Sequence, residues 1–302
     1  MTHLSGDLKT YLGIDGGGSK TRALLVDADG GELHYAESGP GNLNAYDETT
    51  VRNSLFAVID QCIRVSGTKP DATCFGLAGA GNKQTRERLE SIIRSLDPEK
   101  VTIVSDAEIA LEGAFTGGPG LLLIAGTGSV CLGKSADGSV HQCGGWGWLA
   151  DDAGSAGWIG QRALEAAVRQ NDGRMQGHAV RDAVFAQLGI KDSYEINAKI
   201  YQPLMPRSEI AALSNCVLEL AHTGDDAAVQ IYQKALGELK RMVQATASGL
   251  QGEVSELVLA GGLFDHQPAL RKNLKAMLPE FTFKNHAGSP LEGAVALARK
   301  IP

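Results

Sequence analysis

Short apolar runs alternate along this chain with longer stretches in which apolar residues return every three or four positions. YLGID, RALLVD and ELHYAE are runs of the first kind, and turn residues such as Ala28-Asp29-Gly30-Gly31 separate them. They predict strands at about 10–15, 22–27 and 32–37, arranged as a meander. Val51, Leu55, Val58, Ile59 and Ile63 then repeat at helical spacing behind Asp47, a capping residue, and predict a helix over 47–66. CFGLAG (74–79) predicts a strand. Leu89, Ile92, Ile93 and Leu96 give the apolar face of a helix over 83–95, and KVTIVSD (100–106) leads as a strand into a helix over 107–116.

The second half follows the same logic. GLLLIAGTGS (120–129) enters a strand VCLGKS, and a third strand runs near 139–143. The next hundred residues read as mainly helical, at 156–170, 178–188, 207–222 and 226–251. LVLAGG (257–262) is a strand, 266–277 a helix, FTFKN (281–285) a strand and 291–300 a last helix. A turn signal at Gly117-Gly118-Pro119 divides the chain into domains 1–118 and 119–302. The second carries the helical insertion, and the last helix is expected to pack back on the first.

Composition narrows the class. At 302 residues there is room for two domains of ordinary size, and 43% hydrophobic with 21% charged residues describes a soluble globular chain. A net charge of −7 without any basic run argues against nucleic acid as a partner. MTHLSGDLKT has no apolar core, so no signal peptide is expected. LLLIA is far too short to span a bilayer, and a cytoplasmic location without membrane contact is expected. Five widely spaced cysteines, with no C-x-x-C and no Cys/His cluster, point to buried free thiols rather than to zinc or disulfides.

GIDGGGSKT (13–21) raises the question of chemistry. A P-loop would need lysine where Ser19 stands, and both it and the dinucleotide fingerprint need a helix behind the glycines. Behind these glycines stands RALLVD, a strand, so they join two antiparallel strands. Such a loop either merely turns, or uses unusual backbone angles and missing side chains to converge N–H groups on an anion. An internal repeat favours the second reading. LGIDGGGSKTRALLVDADGGELH (12–34) and LLIAGTGSVCLGKSADGSVH (122–141) both run strand, glycine loop, serine, strand, Ala-Asp-Gly and a third strand. A duplicated βββαβα fold is expected, with two facing cradles able to clamp a polyphosphate across an interdomain cleft.

The chain resembles the actin/hexokinase/Hsp70 ATPase superfamily over nearly its whole length. DGGGSKT resembles its first phosphate loop, IAGTGS its second and LAGGLF (259–264) its adenosine motif, while GLAGAG (76–81) and LEGAVALA (291–298) resemble the connecting segments. CGGWGWLADDAGSAGWIG (143–160) is the most specific stretch. It resembles the sugar-binding region of the N-acetylglucosamine and glucosamine kinases, in the family of the BadF/BadG/BcrA/BcrD-type ATPases. The resemblance implies an α/β, two-domain actin-like (ribonuclease H-like) fold and ATP-dependent phosphorylation of an amino sugar at its C6 hydroxyl, with Mg²⁺. It allows a homodimer. It implies Asp106 as general base. Gly17, Gly18, Ser19, Lys20, Thr127, Gly128, Gly261 and Gly262 are implied for ATP, and Asn42, Ser129, Gly145, Trp146 and Asp152 for the sugar. Two positions depart from the pattern. Asp151 stands in place of a glycine or small residue, and Ala153 in place of glutamate or glutamine. An added carboxylate beside the sugar would favour a free 2-ammonium over an acetamide.

Each residue has a plainer role to weigh. Asp15 ends a strand, where it can hold Mg²⁺ through water or simply form the turn; Lys20 either reaches a phosphate or is a solvated hairpin lysine. Asp106 is positioned to accept a hydroxyl proton, and a helix N-cap alone would also explain it. Glu108 and Glu112 are expected on a solvated face. Trp146 and Trp148 suit the apolar face of a sugar or ordinary packing, and Asp152 suits an N-cap for the following helix. Kinases for glucose, N-acetylmannosamine or N-acetylmuramic acid remain open. The ROK-type cysteine motif is absent, as is the cysteine arrangement of the 2-hydroxyacyl-CoA dehydratase activators, which drive a partner enzyme. A sugar sensor without catalysis would not need Asp106 and both loops.

Overall fold

The computed structural model describes residues 9–192 and 194–302. The chain forms two compact units, one holding the chain up to Gly120 together with Asn285–Pro302, the other Leu121–Lys284. In the first, β1 (Thr10–Gly16), β2 (Thr21–Asp27) and β3 (Glu32–Ser38) form the meander, and β4 (Ala72–Leu77) and β5 (Val101–Ser105) extend the sheet in the order β3-β2-β1-β4-β5. β1 runs antiparallel to β2 and parallel to β4, which is parallel to β5. Every residue of β4 is buried, as a central parallel strand covered on both faces should be. Helix α1 (Glu48–Ser66) starts where Asp47 accepts a hydrogen bond from the Thr50 amide at 2.9 Å, and ends at Gly67 in the left-handed region. Its Val51, Leu55, Val58 and Cys62 enter the core. α2 (Lys83–Arg94) and α3 (Asp106–Ala114) complete the expected succession.

The second unit repeats the plan. β6 (Gly120–Ala125), β7 (Ser129–Lys134) and β8 (Val140–Gly144) precede the helices α4 (Ala156–Asn171), α5 (Ala179–Leu188), α6 (Glu195–Tyr201), α7 (Arg207–Ala212), α8 (Ser214–Thr223) and α9 (Asp226–Gly249). Then come β9 (Glu256–Ala260), α10 (Gly262–His266), α11 (Pro268–Ala276) and β10 (Thr282–Lys284). The sheet order β10-β9-β6-β7-β8 is that of the first unit when the strands are matched in chain order. β6 and β9, and β9 and β10, are parallel, like β1–β4 and β4–β5.

Three elements differ from the sequence reading. The helix expected at 207–222 breaks into α7 and α8, where the Leu213 amide bonds the Ile210 carbonyl three residues back. Ile210 lies close against α4 there: a Cβ on Gly160 would lie 1.8 Å from its carbonyl oxygen. α6 and α10 are additions to the expected elements. α6 offers only Ile196 and Ile200 to the core, less than a periodic signal needs.

The last helix, α12 (Pro290–Ala298), belongs to the first unit and packs on α3 and β1. The two helices are built alike. Ser105 and Ser289 each cap through a reciprocal box with Glu108 and Glu292, and each sequence contains Leu-Glu-Gly-Ala. They cross backbone to backbone. A Cβ on Gly293 would lie 2.0 Å from the Ile109 carbonyl oxygen, and one on Gly113 would lie 2.1 Å from that of Ser289. Glu112, expected on a solvated face, is instead buried and ion-paired with Lys300, because α12 covers that face.

Candidate active site

In open α/β sheets ligands bind beyond the carboxyl ends of the parallel strands. In the first unit that edge carries Asp15 and the glycine loop after β1, and Asp106 after β5. The Gly17 amide closes the loop on the Lys20 carbonyl at 2.9 Å, and the Gly17 carbonyl accepts from the Gly41 amide at 2.9 Å. Unusual backbone angles are not what the loop uses: none of Gly16, Gly17 and Gly18 has a left-handed φ. Packing favours glycine at Gly16, where a Cβ would lie 2.5 Å from Leu77 Cδ2 and the leucine side chain would have to shift. It does not require Gly17, whose Cβ would meet only an atom at 3.8 Å, or Gly18, whose Cβ would meet nothing within 4 Å. Ser19 is exposed, and Lys20 Nζ donates to Glu37 at 2.9 Å. That bond, with one from the Tyr35 hydroxyl, holds the Glu37 carboxyl below the usual carboxylate range.

Asp15 is 7% exposed, and its Oδ2 accepts from Arg22 Nη2 at 2.5 Å. Arg22 is its cross-strand register partner, a pairing that counting back from the loop would have disclosed. Asn42 forms a local turn, its Oδ1 accepting from the Asn44 amide at 2.9 Å. Asp106 is not the N-cap of α3. Ser105 fills that role, and Glu108, expected on a solvated face, reaches back to the Ser105 amide at 2.7 Å. Asp106 stands at the first helical position with its Oδ1 accepting from the Ala107 amide at 3.0 Å. Its carboxyl is accessible to solvent, yet the protein around it desolvates it. That desolvation, with the charge of Asp15 as a smaller contribution, raises its pKa against the opposing pull of the Ala107 amide.

In the second unit the Gly126–Gly128 loop joins β6 to β7 and is held by the start of α4. The Ala156 amide donates to the Gly126 carbonyl at 2.9 Å and the Gly157 amide to the Thr127 carbonyl at 3.2 Å. Thr127 is exposed. Ser129 is buried and its hydroxyl donates to the Ala153 carbonyl at 2.9 Å, fastening the loop before α4. Ser155, not Asp152, caps α4. Asp152 is 5% exposed in a left-handed turn (φ 57°), and its Oδ2 accepts from Arg207 Nη2 at 2.5 Å. A Cβ on Gly128 would press within 2.9 Å of that carboxylate. Arg207 lies 55 residues away in sequence, so no local motif signals the pair. Gly145 is exposed beside Trp146, which is 74% exposed, while Trp148 is half-buried. At the end of β9, Gly261 (φ 99°) is obligatory: a Cβ would lie 2.4 Å from the Ala125 carbonyl oxygen. Gly262 opens α10.

Duplicated sheets of one strand order, each with a glycine loop between its first two strands, define a two-domain actin-like ATPase fold. The chain belongs to the BadF/BadG/BcrA/BcrD ATPase family, whose model matches residues 12–297. It is 32% identical over 302 residues to an N-acetylmuramic acid/N-acetylglucosamine kinase of Clostridium acetobutylicum, covering 97% of this chain and 99% of that one. It is 27% identical to the glucosamine kinase GspK of Vibrio cholerae, over 78% of this chain and 79% of that one. The crystal structure of a candidate N-acetylglucosamine kinase from Chromobacterium violaceum superposes with a TM-score of 0.76 at 25% identity, covering 98% of this chain and 100% of that one. Among the described residues no helix is long and apolar enough to cross a membrane.

Proposed function

We propose that this protein is an ATP-dependent kinase that phosphorylates an amino sugar, N-acetylglucosamine or glucosamine, at its C6 hydroxyl, with Asp106 as the general base. Asp106 carries the reading. It is a solvent-accessible carboxyl at the ligand-binding edge of the sheet, its pKa is raised, and Ser105 already does the capping. A raised pKa makes the carboxylate a better acceptor for a sugar hydroxyl proton. Phosphoryl transfer otherwise asks for positioning and charge stabilisation. Gly17, Gly18, Ser19 and Lys20 would serve the phosphates, and Thr127, Gly128, Gly261 and Gly262 the nucleotide. The bare flanks of Gly17 and Gly18 support this, since neither φ nor protein packing explains glycine there. Lys20 would take part by giving up Glu37. Asn42, Ser129, Gly145, Trp146 and Asp152 would hold the sugar, with Ser129 and Asp152 shaping the loop as much as touching the ligand.

Among the described residues no three acidic, His or Cys side chains gather around a metal position. Mg²⁺ needs less: it keeps several waters and takes one or two carboxylates plus substrate phosphates. Asp15 would take that role with Arg22 still on its Oδ2, leaving one carboxylate oxygen for the ion or for a water bound to it, and Mg²⁺ bound there would help neutralise the transferred phosphoryl group. A kinase for N-acetylmuramic acid is the second reading, supported by the name of the Clostridium relative. A partner-activating ATPase with a shared iron–sulfur cluster gets no support from Cys62, Cys74, Cys131 and Cys216, which are all buried. The deciding experiment is a screen of ATP consumption with glucosamine, N-acetylglucosamine, N-acetylmuramic acid and glucose. An amino sugar is expected to accelerate it most, and ATP turnover that no sugar stimulates would exclude a sugar kinase.

A further inference from the structure

We infer that Arg207 is a positioning residue for the second glycine loop, acting on it through Asp152. The inference rests on the kinase reading above, in which that loop serves the nucleotide. The loop closes through Gly128, whose carbonyl accepts from the Gly126 amide at 2.9 Å. Gly128 does not have a left-handed φ, so handedness is not what asks for glycine there. The Asp152 carboxylate is: a Cβ on Gly128 would lie 2.9 Å from Oδ2 and 3.1 Å from both Cγ and Oδ1. Three such similar distances put the carboxyl group broadside against the loop.

The backbone around Asp152 is fastened on its own. Ser129 Oγ donates to the Ala153 carbonyl at 2.9 Å, and the Ser155 amide donates to the Asp152 carbonyl at 3.1 Å. Asp152 itself is left-handed, with φ 57°, a conformation aspartate tolerates better than most residues. Its side chain is aimed by Arg207, whose Nη2 meets Oδ2 at 2.5 Å, and among the described residues no other donor reaches that carboxylate. Arg207 is anchored in turn. It opens α7, which crosses α4 with the Ile210 carbonyl against Gly160. The same α4 holds the loop from its first residue, where the Ala156 amide donates to the Gly126 carbonyl at 2.9 Å.

The pair is unequal: the Asp152 side chain is 8% exposed and that of Arg207 is 42% exposed. Without the arginine, a carboxylate is left in low-dielectric surroundings with no counter-ion, which is costly to keep in place. The turn at 152 then relaxes toward water, and Gly128 loses the surface it closes against. An ion pair that only stabilised the unit would lower its melting temperature and leave the nucleotide affinity of the folded protein unchanged.

The test measures equilibrium binding of ATP with Mg²⁺ and without sugar, together with KM for ATP and kcat. Wild type, R207Q, R207K and D152N/R207Q are compared, and thermal melts establish that each is folded. R207Q is expected to bind ATP on the order of tenfold more weakly, through KM for ATP more than through kcat. R207K is expected to lie between R207Q and wild type, because an ammonium meets the charge without the fixed direction of the guanidinium fork. D152N/R207Q, which leaves no buried charge unpaired, is expected to regain most of the affinity. Wild-type ATP affinity in folded R207Q, or a loss that D152N/R207Q keeps in full, overturns the inference and leaves the kinase reading intact. Should R207Q not fold, R207K decides, and wild-type affinity there overturns the positioning role. A wild type that neither binds ATP nor consumes it faster with any sugar overturns the kinase reading itself.

Discussion

Arg22 Nη2 lies 2.5 Å from Asp15 Oδ2, and the two residues are also direct register partners across β1 and β2. The carboxylate is nearly buried while the guanidinium is more than a third exposed. Removing the arginine therefore leaves a charge in low-dielectric surroundings without its counter-ion. Fully buried pairs lose about 3–5 kcal/mol on such a deletion, and the exposure of Arg22 brings the expected cost of R22Q to about 2 kcal/mol. Urea denaturation of R22Q, D15N and the double variant should show that the double loses less than the sum. Additive losses would mean that the pair is not coupled.

D106N should bind sugar nearly as well as wild type and lose about 10²–10⁴-fold in kcat, the range for a general base. Both quantities come from one preparation, and an unchanged kcat would remove the base assignment.

The same carboxyl predicts a pH dependence of stability. Its folded pKa lies above the unfolded value, so the folded state disfavours the charged form. Its contribution is greatest below the ordinary aspartate pKa and declines as pH rises through the raised folded value. Wild type should lose stability relative to D106N across that interval, measured by thermal melts from pH 3 upward. A difference that does not change with pH would contradict the shift.

Two glycine substitutions should behave in opposite ways. G293A drives a methyl group into the Ile109 carbonyl oxygen at the crossing of α3 and α12, where backbone cannot rotate aside. A loss of about 1–3 kcal/mol or more is expected. In G18A the added methyl meets no protein atom within 4 Å, and φ is not left-handed. Stability should stay within about 0.5 kcal/mol. Nucleotide affinity should fall, read by equilibrium binding of ATP. A destabilised G18A, or one that binds ATP normally, would show that the glycine serves something else.

Much of the scaffold is legible in the sequence because its signals are local. Alternating runs bounded by Asp-Gly turns mark the meander, and Asp47 with the apolar residues behind it marks α1 almost to the residue. Leu213 shows where this fails: the break between α7 and α8 falls beside Ile210, whose carbonyl lies against Gly160 on another helix, a contact no local pattern records. The site divides the same way. Asp106, the two glycine loops and the Trp146 loop stand out in sequence because each is a compact motif. Arg207 does not, since its partner Asp152 is distant along the chain. Glu112 misleads because its helix face looks polar until α12 is known to cover it.

That covering helix comes from the end of the chain, and Gly13 in the first strand fits it so closely that a Cβ there would lie 2.6 Å from the Val295 amide. During synthesis the first sheet therefore emerges with one flank bare. Cys74 and Ile109 lack their packing partners Ala294 and Ala298 until α12 is made, some 180 residues after α3. The lobe that begins first finishes last, and a polypeptide clipped before Pro290 would lose the integrity of its opening half while the intervening one retained its own core.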